Sequence, residues 1–169
     1  MECFDLLTRE KDLNKSVELI SQFNQDENLN LIIMDVLKTH KHKDKFFNYL
    51  LFLLNKQINE IKKVFNICKL ISDLMDLTNT SLFYKNDLDS FISICIKTLE
   101  STYDDKLRYS FLNILNKIVS HKDYFESRYK LEILVELLEH YYNSENIDEK
   151  IQKISKEILE KIDRNSNDS

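Results

Sequence analysis

The chain of 169 residues contains neither glycine nor proline. Average usage would give a chain of this length roughly twelve glycines and eight prolines. Glycine is the residue that most readily adopts positive-φ turns and strand bulges, and proline marks many loops and strand ends. The abundance of Asn, Lys and Ile points to AT-rich coding as the main cause of this depletion, but the structural consequence is the same. The sequence therefore predicts an all-α fold, with helices joined by short polar turns.

Composition predicts one domain with a sizeable core. Hydrophobic residues make up 43% of the chain, which is enough to build such a core at this length. We expect a single helical domain over residues 1–162 and a disordered polar tail over residues 163–169. The formal net charge of −5 argues against a nucleic-acid-binding protein, which needs a positive surface to displace counterions.

Cysteine usage and hydropathy predict a cytoplasmic protein with reduced thiols. Cys3, Cys68 and Cys95 are widely spaced and form no paired motif, so neither a disulfide framework nor a zinc site is expected. Acidic side chains interrupt the first twenty residues, unlike a signal peptide or a mitochondrial presequence. The longest apolar run, residues 46–54, is far shorter than the ~20 residues that span a bilayer. We therefore expect no membrane insertion.

Apolar residues recur at spacings of three and four along most of the chain, the pattern of amphipathic helices. The first half predicts helices over residues 16–23, 29–37, 46–54 and 58–77, with a polar turn over 24–28. Asp44 is a suitable N-cap for the third of these helices.

In the second half, Asn86 or Asp87 is the expected N-cap of a helix whose apolar stripe covers residues 88–99. That stripe is wide enough to be covered on several sides. Asp104 and Asp105 start the next helix. A turn over residues 121–126, a helix over 127–142 and a final helix with an apolar stripe over 147–162 complete the prediction.

Helix starts near residues 88 and 128, and near 105 and 147, are separated by about forty residues. This period is compatible with HEAT and armadillo units, in which each helix pair buries its apolar face against the next pair. The expected fold is thus an armadillo/HEAT-like α-solenoid of about seven to nine helices. A closed helical bundle is the alternative.

The sequence shows no pattern typical of an enzyme. Phosphate-binding loops and nucleophile elbows require glycines, and no nucleophile stands beside a histidine in a known motif. His40 and His42 are flanked by lysines that would repel a metal ion, and a structural zinc site needs four ligands. We therefore expect no catalytic residue, cofactor, metal or small-molecule substrate. The basic stretch Lys38–Lys45 is a solvated turn or a contact for an acidic or phosphorylated partner.

Three segments, together with Tyr124, carry a resemblance to a known family. They are Leu82-Phe83-Tyr84-Lys85-Asn86-Asp87-Leu88, Ile96-Lys97-Thr98-Leu99 and Leu107-Arg108-Tyr109-Ser110-Phe111-Leu112. Their order and spacing resemble the armadillo-like leucine-rich domain of the Dip/WISH/SPIN-ninety family. Lys97 stands where the family has Arg, and Phe111 where Tyr is usual. The resemblance covers residues 58–143, and residues 1–57 look like a shortened, diverged version of the preceding helices.

The resemblance implies a non-enzymatic domain that binds the actin-related-protein two/three complex. Such a domain activates this complex without a pre-existing filament, so that a linear actin filament is nucleated at the actin cytoskeleton and actin is contacted only indirectly. The exposed groups that we expect at the interface lie around the motif and its neighbours: Tyr84, Lys85, Arg108 and Arg128. Arg108 lies in the first turn of its helix, where the dipole disfavours a cation, so it needs an internal partner such as Asp87 or an external one.

The competing hypothesis is a helical scaffold subunit of an unrelated intracellular assembly. Such a subunit would use Lys38–Lys45 on an acidic or phosphorylated partner.

Overall fold

The computed structural model describes residues 10–39, 43–56, 60–77 and 85–167. Nine helices and no strand occupy these ranges, which confirms the predicted all-α fold class. The helices are α1 (Glu10–Phe23), α2 (Glu27–Thr39), α3 (Lys43–Lys56), α4 (Ile61–Leu77), α5 (Lys85–Ser101), α6 (Asp105–Ile118), α7 (Lys122–Ser127), α8 (Leu131–Asn143) and α9 (Glu149–Asn167). None of these helices is long and apolar enough to cross a membrane.

The chain divides into two compact units, residues 1–82 and 83–169. The single domain over residues 1–162 stays a prediction. In the first unit, α4 packs against α1, α2 and α3. Its buried face includes Val64, Ile67, Ile71 and Leu74, which recur at the three- and four-residue spacing that the sequence predicts. The core of this unit therefore lies around α4.

A polar cluster joins the α1–α2 turn to α4. The carboxylate of Asp73 accepts hydrogen bonds at its Oδ2 from Asn24 Nδ2 (2.8 Å), Asn30 Nδ2 (2.7 Å) and Lys69 Nζ (2.7 Å). Lys69 Nζ also donates to the backbone oxygen of Asn24 at 2.7 Å. Asn24 is fully buried, so its side-chain amide depends on the Asp73 carboxylate as a hydrogen-bond acceptor. These hydrogen bonds fix the α1–α2 turn against α4 near Lys69 and Asp73.

In the second unit, α5 packs against α6, α7 and α8, while α9 packs against α6 and α8. The α5 side chains predicted as an apolar stripe are buried: Leu88, Phe91, Ile92, Cys95 and Leu99. The expectation that this helix is covered on several sides is confirmed. This helix-on-helix packing without strands is consistent with the expected solenoid-like fold.

The helix starts agree with one of the predicted N-caps and differ from the others. Asp104 caps α6, because its Oδ1 accepts a hydrogen bond from the backbone N–H of Leu107 at 2.9 Å. The helix α5 begins at Lys85, so Asp87 lies in its first turn and is not the N-cap. Asp44 likewise lies inside the first turn of α3. The Asp87 carboxylate in the first turn still interacts favourably with the helix dipole, which explains the misleading signal at this helix.

Residues 121–126 were predicted as a turn, but residues 122–127 form the short helix α7. His121 caps it, since its Nδ1 accepts from the backbone N–H of Asp123 at 3.4 Å. Tyr124 of this helix is 1% exposed. A helix of six residues is marginal by itself, so the packing that buries Tyr124 contributes to its stability, and that packing is not visible in a short sequence window.

The last helix extends beyond the predicted end at residue 162 and reaches Asn167. Asn165 Nδ2 donates to the backbone oxygen of Val119 at 3.5 Å, so the final turns are attached to the end of α6. Most of the predicted tail is therefore helical. Ile151, Ile154, Ile158 and Ile162 form the buried stripe of α9, as expected.

We predict that Asp73→Ala destabilises the first unit by about 1–3 kcal/mol, because the buried Asn24 amide loses its acceptor. Urea unfolding followed by circular dichroism at 222 nm measures this change. The matched control is Asp163→Ala, which removes an exposed carboxylate from α9. Equal unfolding midpoints for the two variants would show that the cluster contributes nothing.

Candidate functional site

Two of the four predicted interface residues lie at the start of the second unit. Tyr84 lies outside the described residues, as do the preceding residues of the family segment. Lys85 is the first residue of α5, and its side chain is likewise outside the part of the chain that the structure describes. Their places at the interface stay predictions.

Arg108 lies in the first turn of α6 with its side chain only 15% exposed. Its Nη1 is 2.9 Å from Oδ1 of Asp105, one helical turn earlier. The guanidinium carbon lies 5.4 Å from the ring centre of Tyr141 and 6.0 Å from that of Tyr103. Arg108 thus has an internal carboxylate partner, and that partner is Asp105, not the suggested Asp87.

The contact with Tyr141 connects Arg108 to the ends of two other helices. Tyr141 near the end of α8 donates a hydrogen bond from its Oη to the backbone oxygen of Leu99 at 2.6 Å. Leu99 belongs to the last turns of α5, where carbonyl groups lack partners within the helix. Burial raises the pKa of Tyr141, and the Arg108 cation partly opposes this increase. Arg108 therefore helps to join α5, α6 and α8.

Arg128 is exposed and follows α7 with a left-handed backbone, φ 48°. Its N–H donates to the Tyr124 oxygen at 2.8 Å, which ends α7. Lys130, two residues later, has φ 53° and precedes α8 without a capping side chain. These are the two non-glycine residues with positive φ in the described chain, in a conformation that glycine would adopt with less strain.

Tyrosines hold this left-handed segment against α5 and α7. The Oη of Tyr124 donates to the backbone oxygen of Tyr129 at 3.4 Å. The hydroxyl groups of Tyr129 and Ser93 lie 3.2 Å apart. Burial, with a smaller contribution from the Asp89 carboxylate, raises the pKa of Tyr124 to about 12, so its hydroxyl stays protonated and can donate at neutral pH. The strained segment, residues 128–130, thus has a defined position. Arg128 and Lys130 are exposed, and Lys130 Nζ lies 5.5 Å from the ring centre of Tyr129.

Arg108 and Arg128 lie at different places on the second unit. The Arg108 joint reaches α5 at Leu99, while the Arg128 segment reaches α5 at Ser93. Six residues of helix separate these points by about 9 Å. The structure therefore assigns Arg108 to a helix joint and leaves Arg128 as an exposed cation.

Tyr103 was missed by the sequence analysis. Its side chain is 93% exposed in the short connection between α5 and α6, and its ring faces Arg108. An aromatic residue between two predicted helices, directly before the Asp104 cap, is a signal that could have identified it. Exposed tyrosines are common in protein interfaces, since they combine an apolar ring with a hydrogen-bonding hydroxyl.

Within the described ranges, no group of three or more His, Cys, Asp or Glu side chains could hold a metal ion. Cys68 and Cys95 are buried free thiols, and burial raises the pKa of the Cys68 thiol well above its usual range. His40 and His42 lie outside the described residues.

These features define an all-α class of protein, built from packed helices with exposed aromatic and basic side chains. The chain matches the family model of the SPIN90/Ldb17 leucine-rich domain over residues 4–134. It therefore belongs to this family, as the sequence resemblance predicted. The match includes nearly all of residues 1–57, which the sequence analysis described only as diverged, and it stops before α9.

A relative supports the same assignment. Protein LDB17 of Eremothecium gossypii is 28% identical over 116 residues, which cover 66% of this chain and 25% of the relative. The chain thus spans about a quarter of the length of this curated relative. No solved structure matches the chain.

We predict that Arg108→Ala lowers the free energy of unfolding by about 1–2 kcal/mol, because the mostly buried cation leaves the rings of Tyr141 and Tyr103. The free energy of unfolding of Arg108→Lys should lie between those of Arg108→Ala and the unmodified chain, because lysine keeps the charge but lacks the planar guanidinium group. Chemical denaturation of both variants measures the effect, with Arg164→Ala on the exposed side of α9 as control. Stability equal to that of the unmodified chain would show that Arg108 does not join these helices.

We further predict that Lys130→Gly raises the free energy of unfolding by about 0.5–1 kcal/mol, because glycine relieves the positive-φ strain. Lys130→Ala is the matched control, since it shortens the side chain but keeps the Cβ atom. A thermal melt followed by circular dichroism distinguishes them. If Ala stabilises as much as Gly, the lysine side chain and not the backbone is the source of strain.

Proposed function

We propose that this chain is a non-catalytic protein-binding domain that binds and activates the actin-related-protein two/three complex, so that linear actin filaments are nucleated in the cytoplasm. The observation that carries the proposal is the family match over residues 4–134, which includes the three motif segments and eight whole or partial helices. Because the chain spans about a quarter of its curated relative, the proposal concerns the activity of this domain alone.

Activation by a binding domain requires differential affinity. The domain must bind the active arrangement of the nucleator more tightly than the inactive arrangement, because equal affinity for both would not change their populations. Helices whose positions are set by buried contacts suit this task, since little conformational entropy is lost on binding. The Asp73 cluster and the Arg108 joint supply such contacts in their respective units.

The proposed interface includes the exposed cation of Arg128, with Lys130 beside it. Backbone strain costs free energy and persists where the surrounding structure imposes it, and it is concentrated at functional sites. Tyr84 and Lys85 belong to the same proposal through the family segment. Arg108 supports the interface indirectly, because most of its side chain is covered.

The test is a polymerisation assay with pyrene-labelled actin, the purified nucleation complex and this chain, without preformed filaments. The proposal predicts a concentration-dependent shortening of the lag and direct binding to the complex. If the chain neither binds the complex nor shortens the lag, the proposal is wrong. Capture of the actin-related proteins in an affinity purification would exclude the unrelated-scaffold hypothesis.

We predict that Arg128→Glu and Arg128→Gly both weaken activation, with charge reversal raising the concentration for half-maximal activation by about tenfold. The glycine variant removes the cation while relieving the strained φ angle, so its stability should equal or exceed that of the unmodified chain. Arg164→Glu, on α9 beyond the family match, is the control of identical charge change. Full activation by both Arg128 variants would exclude this residue from the interface.

A further inference from the structure

Tyr103 is more exposed than any other large apolar or aromatic residue in the part of the chain that the structure describes. It is 93% exposed, and the next in order, Leu31, is 71% exposed. The helices on both sides of Tyr103 bury their own apolar residues, as Leu99 and Leu107 show. A covered aromatic side chain removes about 150–250 Å² of surface from water, so a partner that covers this ring gains a large apolar contact.

The backbone that carries Tyr103 has a fixed conformation. Residues 102–104 are the whole connection between α5 and α6. The backbone N–H of Asp104 donates to Thr102 Oγ1 at 3.2 Å, and Asp104 caps α6 by accepting from the Leu107 N–H at 2.9 Å. A connection of three residues with these hydrogen bonds has few alternative conformations. Tyr103 therefore projects from a defined point on the second unit.

The ring of Tyr103 is also supported from one side. The guanidinium carbon of Arg108 lies 6.0 Å from its centre, at a distance where a cation is attracted to the face of an aromatic ring. Arg108 is itself held by Asp105 at 2.9 Å and by the ring of Tyr141 at 5.4 Å. The Tyr103 ring is thus oriented before any partner arrives, so its binding costs little conformational entropy.

Two of the family segments build this support. Arg108 belongs to the segment 107–112, and Leu99 belongs to the segment 96–99. The backbone oxygen of Leu99 accepts the hydrogen bond that holds Tyr141, at 2.6 Å. Both segments lie inside the family match over residues 4–134. The features that the chain shares with its family therefore meet at the joint that positions Tyr103.

We propose that Tyr103 is the anchor of the contact with the actin-related-protein two/three complex, with its ring inserted into an apolar cleft of that complex. The inference rests on the proposed function, because it names a contact residue for that partner. A few residues carry most of the binding free energy of an interface, and tyrosine is enriched among them. Arg108 is then a positioning residue, which acts on the partner through the Tyr103 ring.

The first test measures the affinity of the full chain for the purified complex by titration, together with the lag of pyrene-actin polymerisation. Tyr103→Ala should raise the dissociation constant by at least about tenfold and lengthen the lag. Tyr103→Phe keeps the ring and should stay within about threefold of the unmodified chain. Tyr142→Ala is the matched control, since Tyr142 is 42% exposed and faces Lys156 of α9. It should bind normally.

A double-mutant cycle tests the positioning role of Arg108. Arg108→Lys should weaken binding in the unmodified chain, and it should have little further effect once Tyr103→Ala is present. A residue that acts only on the fold would weaken binding equally in both backgrounds. Equal losses in the two backgrounds would thus show that Arg108 does not act through Tyr103.

Nitration with tetranitromethane tests the contact without a substitution. Tyr103 is the only tyrosine in the tryptic peptide 98–106, so mass spectrometry reports its modification separately. Tyr103 should be nitrated in the free chain and protected when the complex is bound. Tyr142 should keep its rate of nitration.

The outcomes separate this inference from the proposed function. Circular dichroism and a thermal melt should show no loss of stability for Tyr103→Ala, because the ring is 93% exposed. If the unmodified chain binds the complex but Tyr103→Ala binds equally well, the inference is wrong and the proposed function stands. The same holds if Tyr103→Phe loses as much affinity as Tyr103→Ala, or if Tyr103 is nitrated equally in the bound state. If the unmodified chain does not bind the complex, both proposals are wrong.

Discussion

The structure depends on the need of each amphipathic helix to cover its apolar stripe. Isolated helices shorter than about 12–15 residues are marginal in water, and α7 has six residues while α2 and α8 have thirteen each. Packing against neighbours therefore supplies most of their stability. In each unit one helix packs against three neighbours and covers part of their apolar faces. This helix is α4 in the first unit and α5 in the second. Without glycine or proline, the chain has few alternatives to this arrangement.

Polar contacts then select one arrangement from the many that apolar burial permits. Hydrophobic contact is non-directional, whereas a buried hydrogen bond has a defined partner and distance. Tyr141 donating to Leu99 sets the end of α8 against the end of α5, and Asp73 sets the α1–α2 turn against α4. Arg108 takes part in the first of these joints. Arg108 belongs to one of the family segments, yet this joint leaves its side chain only 15% exposed.

The fold was largely predictable because helical periodicity is a local property. The α5 stripe, the Asp104 cap and the final isoleucine stripe all follow from residues a few positions apart. The site was less predictable. Arg108 looked like a surface cation, but its exposure depends on Tyr141, which is 33 positions later and becomes a neighbour only through packing. The helix α7 was not predicted because six residues are too few to show a helical period, and the burial of Tyr124 becomes visible only in the packed structure.

The sequence by itself determined the helical class, the approximate helix positions and the family, because spacing and motif order are written in neighbouring residues. Only the tertiary structure decided which cations are covered and which are free, since that depends on residues distant in the chain. It placed Arg108 in a helix joint, gave Arg128 and Lys130 their left-handed backbone, and brought α6 beside α9. Each outcome required side chains that meet only after the helices have packed.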